Sequence, residues 1–280
     1  MRRARTIAGL RAALEPYREG EVGLVPTMGA LHPGHVSLFR AARHECDAVV
    51  ATIFVNPAQF GPADDFERYP RDLERDAGIA EEAAVDLLFV PSVDELFPEG
   101  FQTSVDVEEL SKGLEGSARP GHFRAVATIC LKLFNIVRPA RAYFGQKDAQ
   151  QAEIVERMVR DLNLELEVRV LPTVRDEDGL AFSSRNAYLS AEERTAARAL
   201  PRALFAAEAA YRKGEDAVEA ASSFLAEEPG LETEYVELAQ LNGRLVLAAA
   251  VRAGSARLID NVVLKGAAEA IPLPNPEEDA

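Results

Sequence analysis

The sequence predicts an α/β protein, with an open parallel sheet built by residues 1–174 and a smaller α+β domain over residues 175–280. Three observations carry this. Strand and helix signals alternate along the first 174 residues. The strand candidates there are short apolar runs without polar alternation, as expected of parallel strands covered on both faces. After Pro172 the texture changes to Ala- and Glu-rich helix, then to short strands.

The elements follow in order. The start, MRRARTIAGLRAALEPYREG, has basic residues but no sustained apolar core, and reads as an amphipathic helix and not as a signal peptide. Val22–Val25 is the first strand. Val36, Phe39, Ala42 and Cys46 recur at the spacing of one helix face. Strands are then expected at Ala48–Val55, Asp86–Val90, Arg141–Phe144 and Leu166–Leu171. Helices are expected between them at Leu73–Ala84, Val126–Val137 and Ala149–Leu162. The acidic run Asp64-Asp65-Phe66-Glu67 lacks a calcium-loop pattern and reads as a solvated helix start. In the second domain residues 191–227 are helical. Strands follow at Thr233–Leu238, Arg244–Ala250 and Arg257–Leu264, with an Asn242-Gly243 turn between the first two. The closing PLPNPEEDA reads as a frayed end.

Composition narrows the function classes. Over 280 residues, 48% apolar and 28% charged side chains are those of an ordinary globular chain, and no apolar run is long enough to span a bilayer. The net charge of −15 is even, −7 over residues 1–174 and −8 over 175–280. Neither part offers the basic surface that nucleic acid or an anionic membrane needs. Cys46 and Cys130 lie in apolar helical patterns and are expected as buried thiols in a reducing compartment. The histidines and cysteines show no zinc spacing.

The chemistry concentrates at strand-to-helix junctions. Residues 26–35 read Pro26-Thr27-Met28-Gly29-Ala30-Leu31-His32-Pro33-Gly34-His35, between the first strand and its helix. A helix N-terminus has unpaired N–H groups and a positive dipole end, which suits phosphate. Two imidazoles there are suited to stabilising charge that builds on phosphate oxygens during nucleotide transfer. Phe144-Gly145-Gln146-Lys147-Asp148-Ala149-Gln150-Gln151 lies at a second such junction. Lys147 is placed to reach phosphate, and Gln151 lies one turn beyond it. Asp148 suits magnesium, and capping of the helix is an equally adequate role.

Leu180-Ala181-Phe182-Ser183-Ser184-Arg185-Asn186, after the acidic turn Arg175–Gly179, strings hydroxyl and guanidinium donors together for polyphosphate. In Phe54-Val55-Asn56-Pro57-Ala58-Gln59-Phe60-Gly61, Asn56 and Gln59 are suited to reading substrate hydroxyls, or Asn-Pro simply nucleates a turn. Arg119-Pro120-Gly121-His122-Phe123-Arg124 is either a mobile lid or a place where His122 packs. His44 reads as a solvated helix residue. There is no Walker-type phosphate loop and no serine-hydrolase elbow.

With these motifs in view, the sequence resembles the pantothenate synthetase (pantoate–β-alanine ligase) family of HxGH nucleotidyltransferases nearly end to end. PTMGALHPGH, FVNPAQF, ERYPRDL, RPGHFRAV, YFGQKDAQQ, DGLAFSSRNAYLS and ARLIDNVVL follow the family's order and spacing. The resemblance implies a Rossmann-like N-terminal domain, a C-terminal domain that closes as a lid about a hinge near Pro172–Gly179, and a cytoplasmic homodimer. It implies ATP-dependent condensation of (R)-pantoate with β-alanine through a pantoyl adenylate, releasing pyrophosphate and AMP. Met28, Gly29, Ala30, Leu31, His32, Pro33, Gly34 and His35 then line ATP, with His35 as proton donor and His32 assisting on the phosphates. Gly145, Gln146, Lys147, Asp148, Val174, Phe182, Ser183, Ser184 and Arg185 supply the remaining ATP contacts, Lys147 among the catalytic groups. Magnesium accompanies ATP. Gln59 serves pantoate and β-alanine, and Gln151 serves pantoate.

Gln146, Ala149 and Phe182 depart from the family's usual Glu, aromatic and smaller aliphatic residues, which bears on pocket shape. Two other readings compete. One is a transferase that leaves the nucleotide on its product, which the glutamines oppose. The other is a non-catalytic nucleotide- or RNA-binding module, which the even acidic charge opposes.

Overall fold

Val22–Val25 (β2) is buried at all four positions, and so is Ala48–Thr52 (β3). Such strands are stable only with neighbours on both edges and cover on both faces. The computed structural model describes residues 1–61 and 65–266 and provides both. A sheet of six strands runs in the order β1-β4-β3-β2-β5-β6, with Arg2–Ala4 (β1), Leu87–Phe89 (β4), Arg141–Gly145 (β5) and Glu167–Leu171 (β6) as its other members. The sheet is parallel, with register Val22↔Ala48, Val50↔Leu87 and Leu24↔Ala142. Strand order reverses between β2 and β5, the switch point at whose carboxyl side open α/β sheets bind ligands.

The helices of this part are Ile7–Leu14 (α1), Pro33–Glu45 (α2), Leu73–Glu82 (α3), Val93–Leu96 (α4), Glu115–Ala118 (α5), His122–Val137 (α6) and Ala149–Asp161 (α7). One core joins Leu24, Val50, Leu87 and Phe89 of the sheet to Val126, Leu133 and Phe134 of α6 and Ile154, Val155 and Met158 of α7. Gly23 is required where it stands. A Cβ there would meet Cys46 Sγ at 3.0 Å and the Tyr143 ring at 3.1 Å, closer than ordinary packing.

Two compact units divide the described residues: Met1–Phe144 with Gln151–Leu171, and Gly145–Gln150 with residues 172–266. The second unit carries Ala191–Ala197 (α8), Ala199–Arg212 (α9) and Ala217–Ala226 (α10). An antiparallel sheet of Glu232–Leu241 (β7), Arg244–Ala253 (β8) and Ala256–Lys265 (β9) completes it. Asn242 and Gly243 both have positive φ, 47° and 74°, the geometry that a two-residue hairpin between right-twisted strands demands. Leu200, Leu204, Leu225, Leu247, Val251 and Leu258 form the unit's own core.

Several expectations need correction. The N-terminal segment does not begin as helix: Arg2–Ala4 is an edge strand paired with Leu87–Phe89, and Thr6 caps the helix that follows. In the acidic run Asp64 lies outside the described residues, while Phe66–Arg68 form a turn; helix starts at Leu73 with Asp72 as its cap. The segment PLPNPEEDA also lies outside the described residues. Within the second unit, paired charges hold the acidic turn Arg175–Gly179. Arg175 binds Asp260 in a fork at 2.5 and 3.0 Å, and Arg194 holds Asp176 and Asp178 at 2.6 and 2.8 Å. Cys46 and Cys130 are buried free thiols, and His44 is exposed, as expected.

At the amino ends of the strands, Glu45 at the end of α2 accepts two hydrogen bonds from Arg169, at 2.9 and 3.1 Å, and one from Tyr143 at 2.9 Å. Burial opposes its charge, yet these hydrogen bonds and the charges of Arg169 and Arg141 hold its carboxyl below the ordinary glutamate value. A lowered folded-state value means that the stabilisation is fully present above the unfolded value, about 4.3, and is lost as pH falls through the folded one. Glu45→Gln is therefore expected to cost about 1–3 kcal/mol at neutral pH. It should also flatten the acid limb of the stability profile, as read by urea unfolding across the acid range.

Candidate active site

The chain leaves β2 into a turn most of whose backbone N–H groups donate to protein side chains. Thr27 N–H donates to Thr52 Oγ1 at 3.2 Å, and Gly29 N–H to Thr27 Oγ1 at 3.1 Å. Ala30 and Leu31 N–H both donate to the Asp76 carboxylate at 2.8 Å. Gly29 and Ala30 have positive φ, 82° and 50°, which turns the chain towards α2. His32 is the extended N-cap of that helix, with Pro33 in its first turn. The His32 N–H donates to Nδ1 of His35 at 3.3 Å, and the two ring centroids lie 4.0 Å apart with their planes tilted by 42°. A ring whose Nδ1 accepts a backbone N–H is neutral and carries its proton on Nε2.

Gln59 lies beside this turn, 9% exposed, its side-chain amide 3.6 Å from Met28 Sδ. Three neighbours place it. Asn56, itself buried, accepts the Ala58 N–H at 3.2 Å and caps the short 3₁₀ turn Pro57–Gln59. The Gln59 carbonyl accepts from Arg119 at 3.2 Å and from His122 Nδ1 at 2.9 Å. Asn56 therefore builds the turn. His122 is buried in the first turn of α6, so it packs and does not ride on a lid. Gln151 is half-buried on α7.

In the second unit Lys147 sits in the 3₁₀ turn Gln146–Asp148, 3.6 Å from the Asp148 carboxylate. Asn261 of β9 holds this turn from below. Its amide donates to the Gln146 and Lys147 carbonyls, both at 2.9 Å, and its oxygen accepts from the Gln146 side chain at 3.0 Å. A small pocket is lined by Lys147, Leu180, Ala181, Ser183, Asn186 and Asp260. The Ser183 hydroxyl caps the turn Ser184–Tyr188, and the Phe182 N–H donates to the Val174 carbonyl at 3.1 Å. Lys147, Val174, Phe182 and Ser183 thus belong to one locally ordered patch.

A family model described as pantoate-beta-alanine ligase matches residues 2–263. The chain belongs to the pantoate–β-alanine ligase family. It is accordingly an amide-forming ligase. The pantothenate synthetase of Acidobacterium capsulatum is 52% identical over 290 aligned positions, covering 94% of this chain and 97% of that one. A pantothenate synthetase structure from Thermus thermophilus superposes with a TM-score of 0.91 at 48% identity, covering 95% of this chain and all of the other. A pantoate–β-alanine ligase from Francisella tularensis, complexed with beta-gamma ATP and β-alanine, matches with a TM-score of 0.81 at 34% identity over 95% of this chain and 99% of its own. These likenesses bear out the Rossmann-like sheet and the smaller α+β part.

Reading the sequence missed Asp76, Arg119 as an anchor, and Asn261. Asn261 lies inside a quoted motif, but nothing local marks it as the partner of Gln146, 115 positions away. The departure at Gln146 has a structural account: its amide is a donor to Asn261, and Arg244 reaches its oxygen at 3.4 Å. Among the described residues no three His, Cys, Asp or Glu side chains gather to hold a metal ion. Asp148 offers a single, half-exposed carboxylate, which fits magnesium held mostly by nucleotide phosphates and water. Asn261→Leu should leave both turn carbonyls without their donor and cost about 1–3 kcal/mol. Chemical unfolding, with amide exchange at Asp148 and Ala149, measures it.

Proposed function

We propose that the chain condenses (R)-pantoate with β-alanine at the expense of ATP, through a pantoyl-adenylate intermediate. In the first step a pantoate carboxylate oxygen bonds to the α-phosphorus while the bond to the β-phosphate bridging oxygen breaks, and pyrophosphate leaves. In the second the β-alanine amine attacks the acyl carbon. A C–N bond forms, the acyl–phosphate C–O bond breaks, and AMP leaves with the amine proton passed to solvent or base. The single observation that carries the reading is the His32–His35 pair at the N-terminus of α2, with Nδ1 of His35 accepting the His32 amide and the ring proton therefore on Nε2.

In this reading His35 donates from Nε2 to the phosphate oxygens as charge builds there, and His32 assists. Lys147 neutralises phosphate charge, and Ser183, Ser184 and Arg185 add donors. Met28, Gly29, Ala30, Leu31, Pro33 and Gly34 shape the nucleotide site. Since the amides of Ala30 and Leu31 are taken up by Asp76, these two contribute contour and not hydrogen bonds. Gly145, Gln146, Asp148 and Val174 complete the ATP contacts. Gln59, clamped through its carbonyl, presents a fixed amide to pantoate and β-alanine, and Gln151 presents one to pantoate. Magnesium would be held by ATP phosphates with Asp148, and supplies charge neutralisation when bound. The reading extends to a homodimer in the cytoplasm, the dimer being open to a light-scattering mass measurement.

Release of AMP and pyrophosphate from ATP is expected to require pantoate, and amide formation to require β-alanine; ATP breakdown independent of both overturns the assignment. His35→Ala and Lys147→Ala should each slow single-turnover adenylate formation by roughly 10²–10³-fold, the usual loss for one transition-state donor. Gln59→Ala should chiefly weaken pantoate binding, seen as a raised KM with a smaller change in kcat.

A further inference from the structure

We propose that Asp76 is a positioning residue for adenylation: its buried carboxylate, gripping the Ala30 and Leu31 amides, places the imidazoles of His32 and His35. This rests on the ligase reading of the same turn. Asp76 projects from α3, on a separate part of the chain, and is 1% exposed. Its two oxygens divide the work, Oδ2 accepting from Ala30 and Oδ1 from Leu31, both at 2.8 Å. Successive left-handed residues at Gly29 and Ala30 aim consecutive amides at one point, a concavity of the kind that binds anions. Here the anion is the protein's own.

The fit is close. A Cβ at Gly29 would come within 2.8 Å of Asp76 Oδ2, so the turn and the carboxylate are matched in shape. Arg75 is the cation beside it, at 3.5 Å and mostly in solvent, which leaves the two amides as the principal support of a buried charge. The lever arm to the chemistry is short. Leu31, one of the two bonded residues, is buried and immediately precedes His32, the N-cap. The His32 amide in turn holds Nδ1 of His35. Moving the carboxylate moves Leu31, and with it the cap that sets the tautomer and tilt of His35. An asparagine cannot substitute, because its NH₂ would face one of the two N–H groups.

The test compares the unmodified chain with Asp76→Asn, His35→Ala and the double variant, following pantoate-dependent pyrophosphate release in a single turnover. Asp76→Asn is expected to lower the adenylation rate by about 10- to 100-fold, the scale of a misplacement near 1 Å, and to leave the pantoate KM within about twofold. In the His35→Ala background the same change should cost clearly less than in the parent, since only His32 is left to be misplaced. A rate within twofold of the parent, or costs that simply multiply in the double variant, overturns the proposal. A merely structural loss predicts multiplication. Should Asp76→Asn fail to fold, Asp76→Glu decides, keeping the charge and displacing it by one methylene. Displaced His32 and His35 imidazole NMR signals with a slowed reaction support the proposal, and parent-like signals and rate overturn it. If the parent releases no pyrophosphate with pantoate, the pantoyl-adenylate reading fails. The imidazole signals of the Asp76 variants still decide whether this carboxylate places the histidines.

Discussion

A parallel sheet leaves backbone donors and acceptors stranded where each strand ends, and a buried strand end has no water to satisfy them. At the exits of β2 and β3 this chain meets the constraint with polar side chains from elsewhere. Thr27 and Thr52 bind across the two exits, with Thr27 Oγ1 donating to the Thr52 carbonyl at 2.5 Å. Asp76 takes the next two amides, and Asn56, Arg119 and His122 hold the turn after β3. With those amides pinned, the side chains of His32 and His35 stand on a stiff base. Preorganised donors that need no rearrangement at the moment of reaction are what charge stabilisation requires.

The second unit solves the same problem by a different route. Its turn at Gln146–Asp148 is held from β9 by Asn261, and the acidic turn before Leu180 is held by two arginines. The arginines matter for the field as well as the geometry. In a chain of net charge −15, Arg175 and Arg194 face carboxylates of their own unit. The positive charge of Lys147, next to one carboxylate at 3.6 Å, thus acts locally.

The parts of the fold readable from sequence are those whose cause is local. Four-residue apolar runs become buried strands, Asn242-Gly243 becomes the hairpin turn, and histidines at a strand-to-helix handover become a helix cap. Elements with distant causes were not readable. Arg2–Ala4 has two exposed arginines and no apolar pattern, and only pairing with Leu87–Phe89 makes it a strand. Asp76 sits among other acidic residues on α3 and looks solvated; its partners lie 45 and 46 positions earlier. His122 was readable as a residue but not as a support, because the carbonyl it holds belongs to Gln59, 63 positions away. Sequence motifs therefore point to the groups that touch ligand more readily than to those that aim them.

The packing around Gly23 has a practical consequence. The Cys46 thiol is wedged against the missing side chain of that glycine and lies 3.4 Å from the Tyr143 hydroxyl. Burial pushes the Cys130 thiol up to about 12. Both sulfurs are buried in the folded chain, out of reach of an alkylating reagent. A cysteine introduced on the surface of either unit would then be the single labelling site in an otherwise silent background. Fluorophores or spin labels attached in this way can report on each unit in solution with the natural sulfurs left in place.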